Sequence, residues 1–600
     1  MIFAGPSILV AEPEWQGIKV EVLADQAVET THTLNEQADG FYRLAISISN
    51  PGQHPLTIEK ISIRIPLAER LTDDLEILYG GSCMGRTPLL RQKLGGKTRQ
   101  SFSNMYQMIR LADGQYIFAG SLSWRIFLPN FTVKDGAFEI GSHGEGKQIK
   151  PGQTIHYEQI VLRRASNWLD LLNQFGTAIA AENGITKLKI ADFKGWATWD
   201  YYAYKFSNED IDGNIEQLKK LGGGANLVQI DAGWYSIRGD YTTSRPDMAG
   251  GMKDVASRVK AAGMIPGIWM DGFRANSVSE VCKKHPEYFL HDQDGKMIIE
   301  IRRPEGVDRD RVYFDYSHPG ARAHIAECIR VLKREWGYPY FKIDFMRFGL
   351  NREIMENKPS LTSIKAHDPT ITDVERMRLG LQAMREAIGP DNYLLGCSAV
   401  FGPCIGFVDG MRTGADISPR YEAFPERSLG NLGHFYLSGK VFNGDADYLV
   451  FREAADEDEK VSAEEVKHGG SMSMNEARMW ADLNKLYGTA RLQGDNLITL
   501  RSDRQALVKE VFEYPPMDET VPLDLWQRAT NKNDAFELVL ARKGKDIYLG
   551  VFNWGDAPKQ YALTGFGKPD PLKLSSRHST ILKYDGQESF SQLCQKLQSR

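Results

Sequence analysis

The fold of this chain is most constrained by a unit that repeats between about residues 195 and 485, in which a short apolar run is followed by a helix-patterned stretch. Strands and helices that alternate along a chain are typical of a parallel α/β fold. A (β/α)8 barrel carries its chemistry at the carboxyl ends of its strands, and each run here ends in charged, aromatic or thiol side chains. The runs are 195–202, 227–234, 264–273, 340–347, 394–398 and 406–416. We therefore predict a (β/α)8 TIM barrel with a site at these strand ends.

The regions on both sides of this repeat contain short β-rich runs separated by turns, which is the pattern of antiparallel sheets. We predict an N-terminal antiparallel β-sandwich domain with a linker helix at 1–185, a catalytic barrel at 186–490 and a C-terminal antiparallel β domain at 491–600. A chain of 600 residues exceeds what one hydrophobic core usually holds. The predicted fold class is therefore α/β, with the barrel flanked by two β domains.

Composition argues against several classes of protein. The net charge is -5 without a polybasic stripe, so nucleic acid is not an expected partner. The sequence has no apolar run long enough for a membrane span and no basic region followed by an apolar segment at its start. The cysteines lack CxxC spacing, which is typical of free thiols in a reducing compartment, so we expect a cytoplasmic protein. They are Cys83, Cys282, Cys328, Cys397, Cys404 and Cys594.

Ionisable residues stand at the ends of two runs. Lys342 and Asp344 occupy alternate positions of one strand, so both would point into the site. Cleavage of a glycosidic bond needs one carboxylate that stays ionised and one carboxyl that holds a proton for the leaving oxygen. Asp344 fits the first role because Lys342 and Arg347 favour its charged form. Asp416, four residues after Arg412, fits the second role if its surroundings are dry, since desolvation favours the protonated form.

Aromatic side chains at the ends of the first three runs fit a carbohydrate ligand. They are Trp196, Trp199, Trp234 and Trp269. Their flat apolar faces pack well against the C–H faces of sugars, and ligand pockets are mostly lined by such groups. The residues thus predict a sugar pocket beside the two carboxylates.

Five of these segments resemble a known family. Lys342-Ile-Asp344-Phe-Met-Arg347 resembles the nucleophile motif of glycoside hydrolase family 36, the melibiase or α-galactosidase family, which shares a clan with family 27. Asp409-Gly-Met-Arg412-Thr-Gly-Ala-Asp416 is similar to the acid/base segment of that clan. Leu395-Gly-Cys397 lies between these motifs as in family members, and Gly195-Trp196-Ala-Thr-Trp199 and Ile265-Pro-Gly-Ile-Trp269 match its first and third strands. The resemblance covers about residues 190–500.

The resemblance implies a retaining α-glycoside hydrolase that acts by double displacement, with a covalent glycosyl intermediate on Asp344 and with Asp416 as acid and then base. It implies a small-molecule or oligosaccharide α-glycoside substrate and no cofactor or metal. The twelve histidines, which show no HxH or HExxH spacing, agree with that expectation. The residues expected to bind substrate are Asp231, Lys342, Arg412, Trp199, Trp196, Trp269, Asp271, Cys397, Arg347 and Trp234.

One departure from the family concerns specificity. Galactosidases of this clan usually carry two consecutive aspartates at the second strand, and these bind hydroxyls at the far end of galactose, including the axial one at C4. This chain has Asp231 followed by Ala232. The loss of one charged acceptor is worth about 1.5 to 3 kcal/mol, which is enough to change the preferred sugar. Asp271, at the end of the third run, either takes over the lost contact or reads a different hydroxyl.

Other functions stay open from the sequence. A lysine at a barrel strand end can form a Schiff base, so Lys342 is also compatible with an aldolase. A carbohydrate-binding protein without catalysis is a further alternative, although both candidate carboxylates are present. The identity of the sugar, transglycosylation beside hydrolysis and assembly into a homo-oligomer also stay open.

Overall fold

The computed structural model of the chain describes residues 15–81, 89–95, 103–189, 191–300, 310–453, 470–531, 534–568 and 570–598. Cys83 lies outside these residues. A parallel eight-stranded sheet lies between antiparallel sheets on its N-terminal and C-terminal sides. The predicted fold class, a (β/α)8 barrel flanked by β domains, is therefore confirmed.

Two antiparallel sheets form the N-terminal β region. The first contains β1 (Lys19–Ala24), β4 (Leu56–Pro66), β9 (Asn130–Lys134), β10 (Ala137–His143) and β11 (Gln148–Ile149). The second contains β2 (Glu29–Glu36), β3 (Tyr42–Ser49), β5 (Glu76–Gly80), β6 (Leu89–Lys93), β7 (Tyr106–Arg110), β8 (Tyr116–Ser121), β12 (Thr154–His156) and β13 (Ile160–Ala165). Alternate isoleucines of β4 (Ile61, Ile63 and Ile65) are buried in a hydrophobic cluster that both sheets share. This alternation is what makes the two sheets a sandwich.

The helix α1 (Trp168–Glu182) connects the sandwich to the barrel. The side chain of Asn167 caps its first turn by accepting hydrogen bonds from two backbone amides. The apolar face of α1 is buried, and its Gly176 lies so close to the carbonyl of Tyr436 that a Cβ would stand 1.8 Å from that oxygen. The helix is therefore packed directly against the loops of the barrel.

Eight parallel strands form the barrel. In chain order they are β14 (Phe193–Ala197), β15 (Leu227–Ile230), β16 (Ile265–Asp271), β20 (Tyr340–Asp344), β21 (Tyr393–Gly396), β22 (Gly410–Arg412), β23 (Asn443–Asp445) and β24 (Ala490–Gln493). From β14 to β23 each strand pairs with the next along the chain, and β24 pairs with β14, so β23 and β24 are the two ends of the sheet. Leu449, just after β23, exchanges backbone hydrogen bonds of 2.8 Å with Leu492 and Gly494, which brings the two ends of the sheet together.

All six predicted runs contain a barrel strand, whereas β23 and β24 were not predicted. Because β24 spans 490–493, the barrel sheet continues past the predicted domain boundary at 490. The other domain boundaries stay predictions. The short strands β17 (Arg274–Asn276), β18 (Ile299–Glu300) and β19 (Arg311–Tyr313) form a separate three-stranded sheet in the connection that follows β16.

Helices occupy the connections between the barrel strands. They are α2 (Trp199–Tyr202), α3 (Asn208–Leu221), α4 (Gly251–Ala261), α5 (Glu280–Lys284), α6 (Pro319–Arg330), α7 (Asn351–Asn357), α8 (Asp373–Ile388), α9 (Phe401–Cys404), α10 (Phe424–Leu432) and α11 (Met474–Leu486), and α12 (Ser502–Glu513) follows the last strand. Reciprocal capping boxes at Ser207 and Thr372 fix where α3 and α8 begin.

The C-terminal β region has a four-stranded antiparallel sheet and a separate strand pair. The sheet contains β25 (Glu519–Pro522), β26 (Leu538–Lys543), β27 (Asp546–Asn553) and β30 (His578–Lys583), and the pair is β28 (Lys559–Tyr561) with β29 (Leu572–Leu574). The helices α13 (Leu525–Arg528) and α14 (Phe590–Gln598) complete it. Within the described ranges, all five cysteines are free thiols, and none of the helices combines the length and apolarity that crossing a membrane requires.

We expect Gly176→Ala to destabilise the protein by about 1 to 3 kcal/mol, because the added methyl would force α1 away from the barrel. The sign is diagnostic, since the same change inside an unhindered helix stabilises by up to about 1 kcal/mol. Thermal unfolding measures the difference. Gly141→Ala in β10 is the control, because a Cβ there meets nothing within 4 Å. A melting temperature for Gly176→Ala equal to or above that of the wild type would contradict the packing described for α1.

Candidate active site

Asp344 is the last residue of β20 and is half-buried at the carboxyl end of the barrel. Its Oδ2 accepts a hydrogen bond of 3.1 Å from the indole Nε1 of Trp269, and its Oδ1 accepts one of 2.6 Å from the amide of Phe345. Phe345 has a φ of +57°, so the chain turns sharply just after the carboxylate. Two N–H donors thus hold this carboxylate in a fixed orientation.

A buried ion pair lies behind Asp344. The Nζ of Lys342 donates to Asp231 Oδ2 and to the hydroxyl of Tyr448, each at 2.9 Å. Tyr448 and Gln229 also donate to that Asp231 oxygen, while Oδ1 accepts from the Ala232 amide at 2.8 Å. Burial, the largest single influence, lowers the pKa of Lys342, but Asp231, Tyr448 and Cys397 together outweigh it and raise that pKa well above its ordinary value. Lys342 is therefore held as an ammonium group.

Arg412, at the end of β22, forms the opposite side of the site. Its Nη2 contacts Asp447 Oδ2 at 2.7 Å and Asp416 Oδ1 at 3.3 Å, and its Nη1 donates to the sulfur of Cys397 at 3.8 Å. The Asp416 side chain is 52% exposed, whereas those of Arg412 and Asp447 are almost completely buried. The expectation of dry surroundings for Asp416 is therefore wrong, because this carboxylate lies on the solvent side of the arginine.

The Cys397 thiol connects the two candidate carboxylates. Burial raises the pKa of this thiol well above its ordinary value, and the charges of Asp344 and Asp416 raise it further. The amide of Cys397 donates to the carbonyl of Ile343, the residue before Asp344, at 2.9 Å, and its sulfur and Asp416 both contact Arg412. The thiol is held in its neutral form, and its contact with substrate stays a prediction.

The four tryptophans occupy different environments. The ring of Trp196 is fully buried and its Nε1 donates to the carbonyl of Asp495, while the fully buried Trp234 donates to the carbonyl of Trp269. The structure therefore places Trp196 and Trp234 in the core rather than at a sugar-binding surface, which corrects the prediction for both. Trp269 is also buried, but unlike them it donates to the Asp344 carboxylate, and Trp199 is partly exposed at the end of the first strand. These two remain candidates for contact with substrate.

Asp271 does not have the predicted role. Its Oδ2 accepts hydrogen bonds from Arg238 Nη1 at 2.7 Å and Arg274 Nε at 3.1 Å, and its Oδ1 accepts from the amides of Phe273 and Arg274. Arg274 also binds Glu300 at 3.1 Å, and all four carboxylate and guanidinium groups of this network are buried. Asp271 therefore anchors the three-stranded sheet that follows β16 and is not a free acceptor for a sugar hydroxyl.

Arg347 is the last of the predicted site residues. It follows Asp344 by three positions, and its guanidinium lies 5.0 Å from the ring centroid of Phe348, while its amide donates to the carbonyl of Ser398. The contacts described for its side chain are therefore with the turn after β20. Its contact with substrate stays a prediction.

Sequence reasoning missed Tyr448, Gln229 and Asp447. Gln229 lies inside β15, and a glutamine does not mark a site residue in the sequence because glutamine is common in loops as well. Tyr448 and Asp447 follow β23, which has only three residues and therefore lacks an apolar run. The usable signal was the alternation of Asp445 and Asp447 before the aromatic Tyr448, which is the pattern of a strand end with two inward carboxylates.

A (β/α)8 barrel with carboxylates at two of its strand ends is an arrangement that glycoside hydrolases use. Residues 196–389, about a third of the chain, match the family model named Melibiase. This match confirms the resemblance to glycoside hydrolase family 36.

Individual relatives agree with this assignment. The chain is 23% identical over 384 residues to the bifunctional α-galactosidase/sucrose kinase AgaSK of Mediterraneibacter gnavus, a match that covers 58% of this chain and 39% of that protein. It is 26% identical over 245 residues to the α-galactosidase AgaA of Geobacillus stearothermophilus, covering 39% of this chain and 32% of the relative. The matched part is thus well under two thirds of each curated relative.

A solved structure supports the fold over a longer stretch. The structure of the family 36 α-galactosidase AgaA from Geobacillus stearothermophilus in complex with stachyose matches with a TM-score of 0.64 and 14% identity. The match covers 95% of this chain and 86% of that one. At this identity the likeness concerns the fold, which includes the β domains on both sides of the barrel.

We expect Asp271→Ala to lower the free energy of unfolding by about 3 to 5 kcal/mol, because it leaves the buried guanidinium groups of Arg238 and Arg274 without their shared carboxylate. Denaturant unfolding measures this loss. Asp294→Ala, at an exposed turn, is the control and should change stability by no more than about 0.5 kcal/mol. If Asp271→Ala kept its stability but lost turnover, the structural role of Asp271 would be contradicted and the predicted contact with sugar would be supported.

Proposed function

We propose that this chain is a retaining α-glycoside hydrolase that cleaves α-galactosides or the α-glycosides of a related sugar. The observation that carries the proposal is that Asp344 lies at the end of β20 and is held by N–H donors, while Asp416, open to solvent, contacts Arg412 at the end of β22. This arrangement provides the nucleophile and the acid/base that double displacement requires.

In the first step, the Asp344 carboxylate attacks the anomeric carbon while Asp416 gives a proton to the leaving oxygen. The hydrogen bonds from Trp269 and Phe345 fix the direction of attack, because both attach to Asp344 itself. In the second step, Asp416 takes a proton from water, and the water oxygen displaces Asp344 from the sugar. Each step forms a new bond to the anomeric carbon as the old one breaks, so the α configuration is retained.

Lys342 and Asp231 suit the recognition of sugar hydroxyls. The ammonium group has a third hydrogen to donate beyond those used by Asp231 and Tyr448. The same ion pair argues against the aldolase alternative, because Schiff-base formation requires a neutral amine and Asp231 keeps Lys342 charged. A binding protein without catalysis is also less favoured, since both carboxylates are present and positioned.

The related proteins suggest the class of substrate. AgaA has been solved with stachyose, and we propose α-galactoside oligosaccharides of this kind as the first substrates to examine. Ala232 argues for altered specificity, because its methyl group replaces the acceptor that the family uses for the axial C4 hydroxyl, and Asp271 is not available to replace it. Cytoplasmic location and homo-oligomer formation stay predictions.

The roles of the two carboxylates are tested with p-nitrophenyl α-D-galactopyranoside. We expect Asp344→Ala to abolish turnover, because no glycosyl intermediate can form. We expect Asp416→Ala to be rescued by azide and to release an α-glycosyl azide, because a good leaving group needs little acid and azide needs no base. Activity of Asp344→Ala close to wild type, or a failure of azide to rescue Asp416→Ala, would assign the roles to other residues.

Ala232→Asp is expected to improve discrimination for galactose over glucose by about tenfold in kcat/KM, which corresponds to about 1.4 kcal/mol in the transition state. The measurement compares the p-nitrophenyl α-glycosides of the two sugars. Ala232→Asn is the matched control of similar size and should give a smaller gain, because a neutral acceptor forms the weaker hydrogen bond. A wild type that already strongly prefers galactose, with no change in Ala232→Asp, would contradict this interpretation of the second strand.

A further inference from the structure

Two carboxyl groups share one buried guanidinium in the candidate site. The Nη2 atom of Arg412 lies 2.7 Å from Asp447 Oδ2 and 3.3 Å from Asp416 Oδ1. Asp416 is exposed to solvent on one side of the arginine, and Asp447 is buried on the other. The proposed function uses Asp416 and Arg412 and gives no role to Asp447.

The backbone holds Asp447 in place from several directions. Its φ is +78°, a backbone conformation that residues other than glycine seldom adopt. Its Oδ2 also accepts from the amide of Ile417 at 2.8 Å, and its own amide donates to Asp445 Oδ1 at 2.9 Å. Among the described residues its Oδ1 has no hydrogen-bond partner although it is buried. A strained backbone and an unsatisfied oxygen are features that structures retain at functional sites.

The charges around this cluster do not balance. The groups that act on Asp447 are the cations Arg412 and Lys342 and the carboxyls Asp416 and Asp445, with the neutral Tyr448 beside them. Lys342 is already paired with Asp231. Arg412 therefore faces three carboxyl groups, and like charges on one cation disfavour full ionisation.

The titration of Asp447 agrees with this count. The pKa of the Asp447 carboxyl is raised to about 7, because burial and the charge of Asp416 raise it by more than Arg412 lowers it. Burial also raises the pKa of Asp445. When two such groups interact closely, the proton belongs to the pair rather than to one residue.

We propose that Asp447 is a positioning residue that, through Arg412, keeps a proton available to Asp416 near neutral pH. The inference rests on the proposed glycosidase function. An arginine beside Asp416 alone would hold it in the charged form, which cannot protonate a leaving group. With Asp447 on the same guanidinium, one of the two carboxyls keeps its proton. A sugar bound over Asp416 removes water from that carboxyl and moves the proton to it.

The proton then follows a balanced path. It passes from the Asp416 carboxyl to the glycosidic oxygen as the bond between that oxygen and the anomeric carbon breaks, and the aglycone leaves as an alcohol. The electron pair of the Asp344 carboxylate forms the new bond. Water returns a proton to Asp416 in the second step. Asp447 exchanges no bond with the sugar. It acts on the proton through Arg412, while its hydrogen bond with the Ile417 amide holds the backbone next to Asp416.

Asp447→Asn tests the proposal without adding strain, because asparagine has the same shape and is among the residues that tolerate a positive φ. With methyl α-D-galactopyranoside, a poor leaving group, we expect the basic limb of the kcat/KM profile to move at least about one pH unit lower and the rate at pH 7 to fall about tenfold. With the p-nitrophenyl glycoside the rate should fall less than about threefold, because acid assistance matters little there.

Two further variants separate positioning from a general structural effect. Asp447→Glu keeps the charge and should keep the basic limb at its wild-type pH. Asp445→Asn removes a neighbouring buried carboxyl whose Oδ1 binds the Asp447 amide, and its limb should move less than that of Asp447→Asn. The proposal would be overturned if the basic limb of the kcat/KM profile kept its wild-type pH in Asp447→Asn. It would also be overturned if that limb moved by the same amount in Asp445→Asn.

A readout that needs no turnover keeps this test independent of the proposed function. Infrared spectroscopy follows the band of a protonated carboxyl, and in the wild type we expect one such band to disappear near neutral pH. It should disappear at lower pH in Asp447→Asn and also in Asp416→Asn, since each variant removes one member of the pair. An unchanged band in both variants would overturn the inference. Failure of the wild type to cleave either galactoside would instead contradict the proposed substrate and leave the infrared result to decide the role of Asp447.

Discussion

The charge of Lys342 has no access to bulk water, and the centre of the barrel is arranged around that fact. Burying an ammonium group costs several kcal/mol unless a close counter-ion and further hydrogen bonds accompany it. Asp231, just after β15, and Tyr448, after β23, provide them, and Gln229 on β15 donates to Asp231 in turn. These contacts therefore connect β20 with the end of β15 and with the segment after β23. Removal of either ion would leave the other charge uncompensated, so the two residues form one structural unit.

A second buried network has a different purpose. Asp271 ends the strand next to β20, yet its carboxylate turns toward Arg238 and Arg274 and fixes the small sheet that follows β16. Two carboxylates on neighbouring strand ends thus have separate functions, which their partners decide. Asp344 meets only N–H donors in its described contacts and stays available for attack, whereas guanidinium groups occupy Asp271.

The sequence predicted the barrel because six of its strands lie in apolar runs with a polar end, a signal that depends only on local order along the chain. It failed for β23, where Asn443–Asp445 is too short to form such a run. The placement of Asp344 beside Trp269 followed from motif spacing and from strand ends that meet at one edge. The burial of Trp196 and Trp234 and the capture of Asp271 depend on residues distant in sequence, such as Asp495 and Glu300. Such contacts exist only after folding, and a strand-end position alone does not distinguish a core ring from a pocket ring.

The turn at Phe345 restricts how this protein can change over evolution. A non-glycine residue with φ of +57° immediately after Asp344 costs energy that the surrounding packing must supply. The ring of Phe345 lies 3.8 Å from the guanidinium carbon of Arg274, so the same residue that carries the strained turn is clamped by the network around Asp271. Branched side chains such as valine or isoleucine fit this backbone poorly. Position 345 therefore links the orientation of Asp344 to the small sheet. Substitutions in that sheet would first change how the Asp344 carboxylate is aligned.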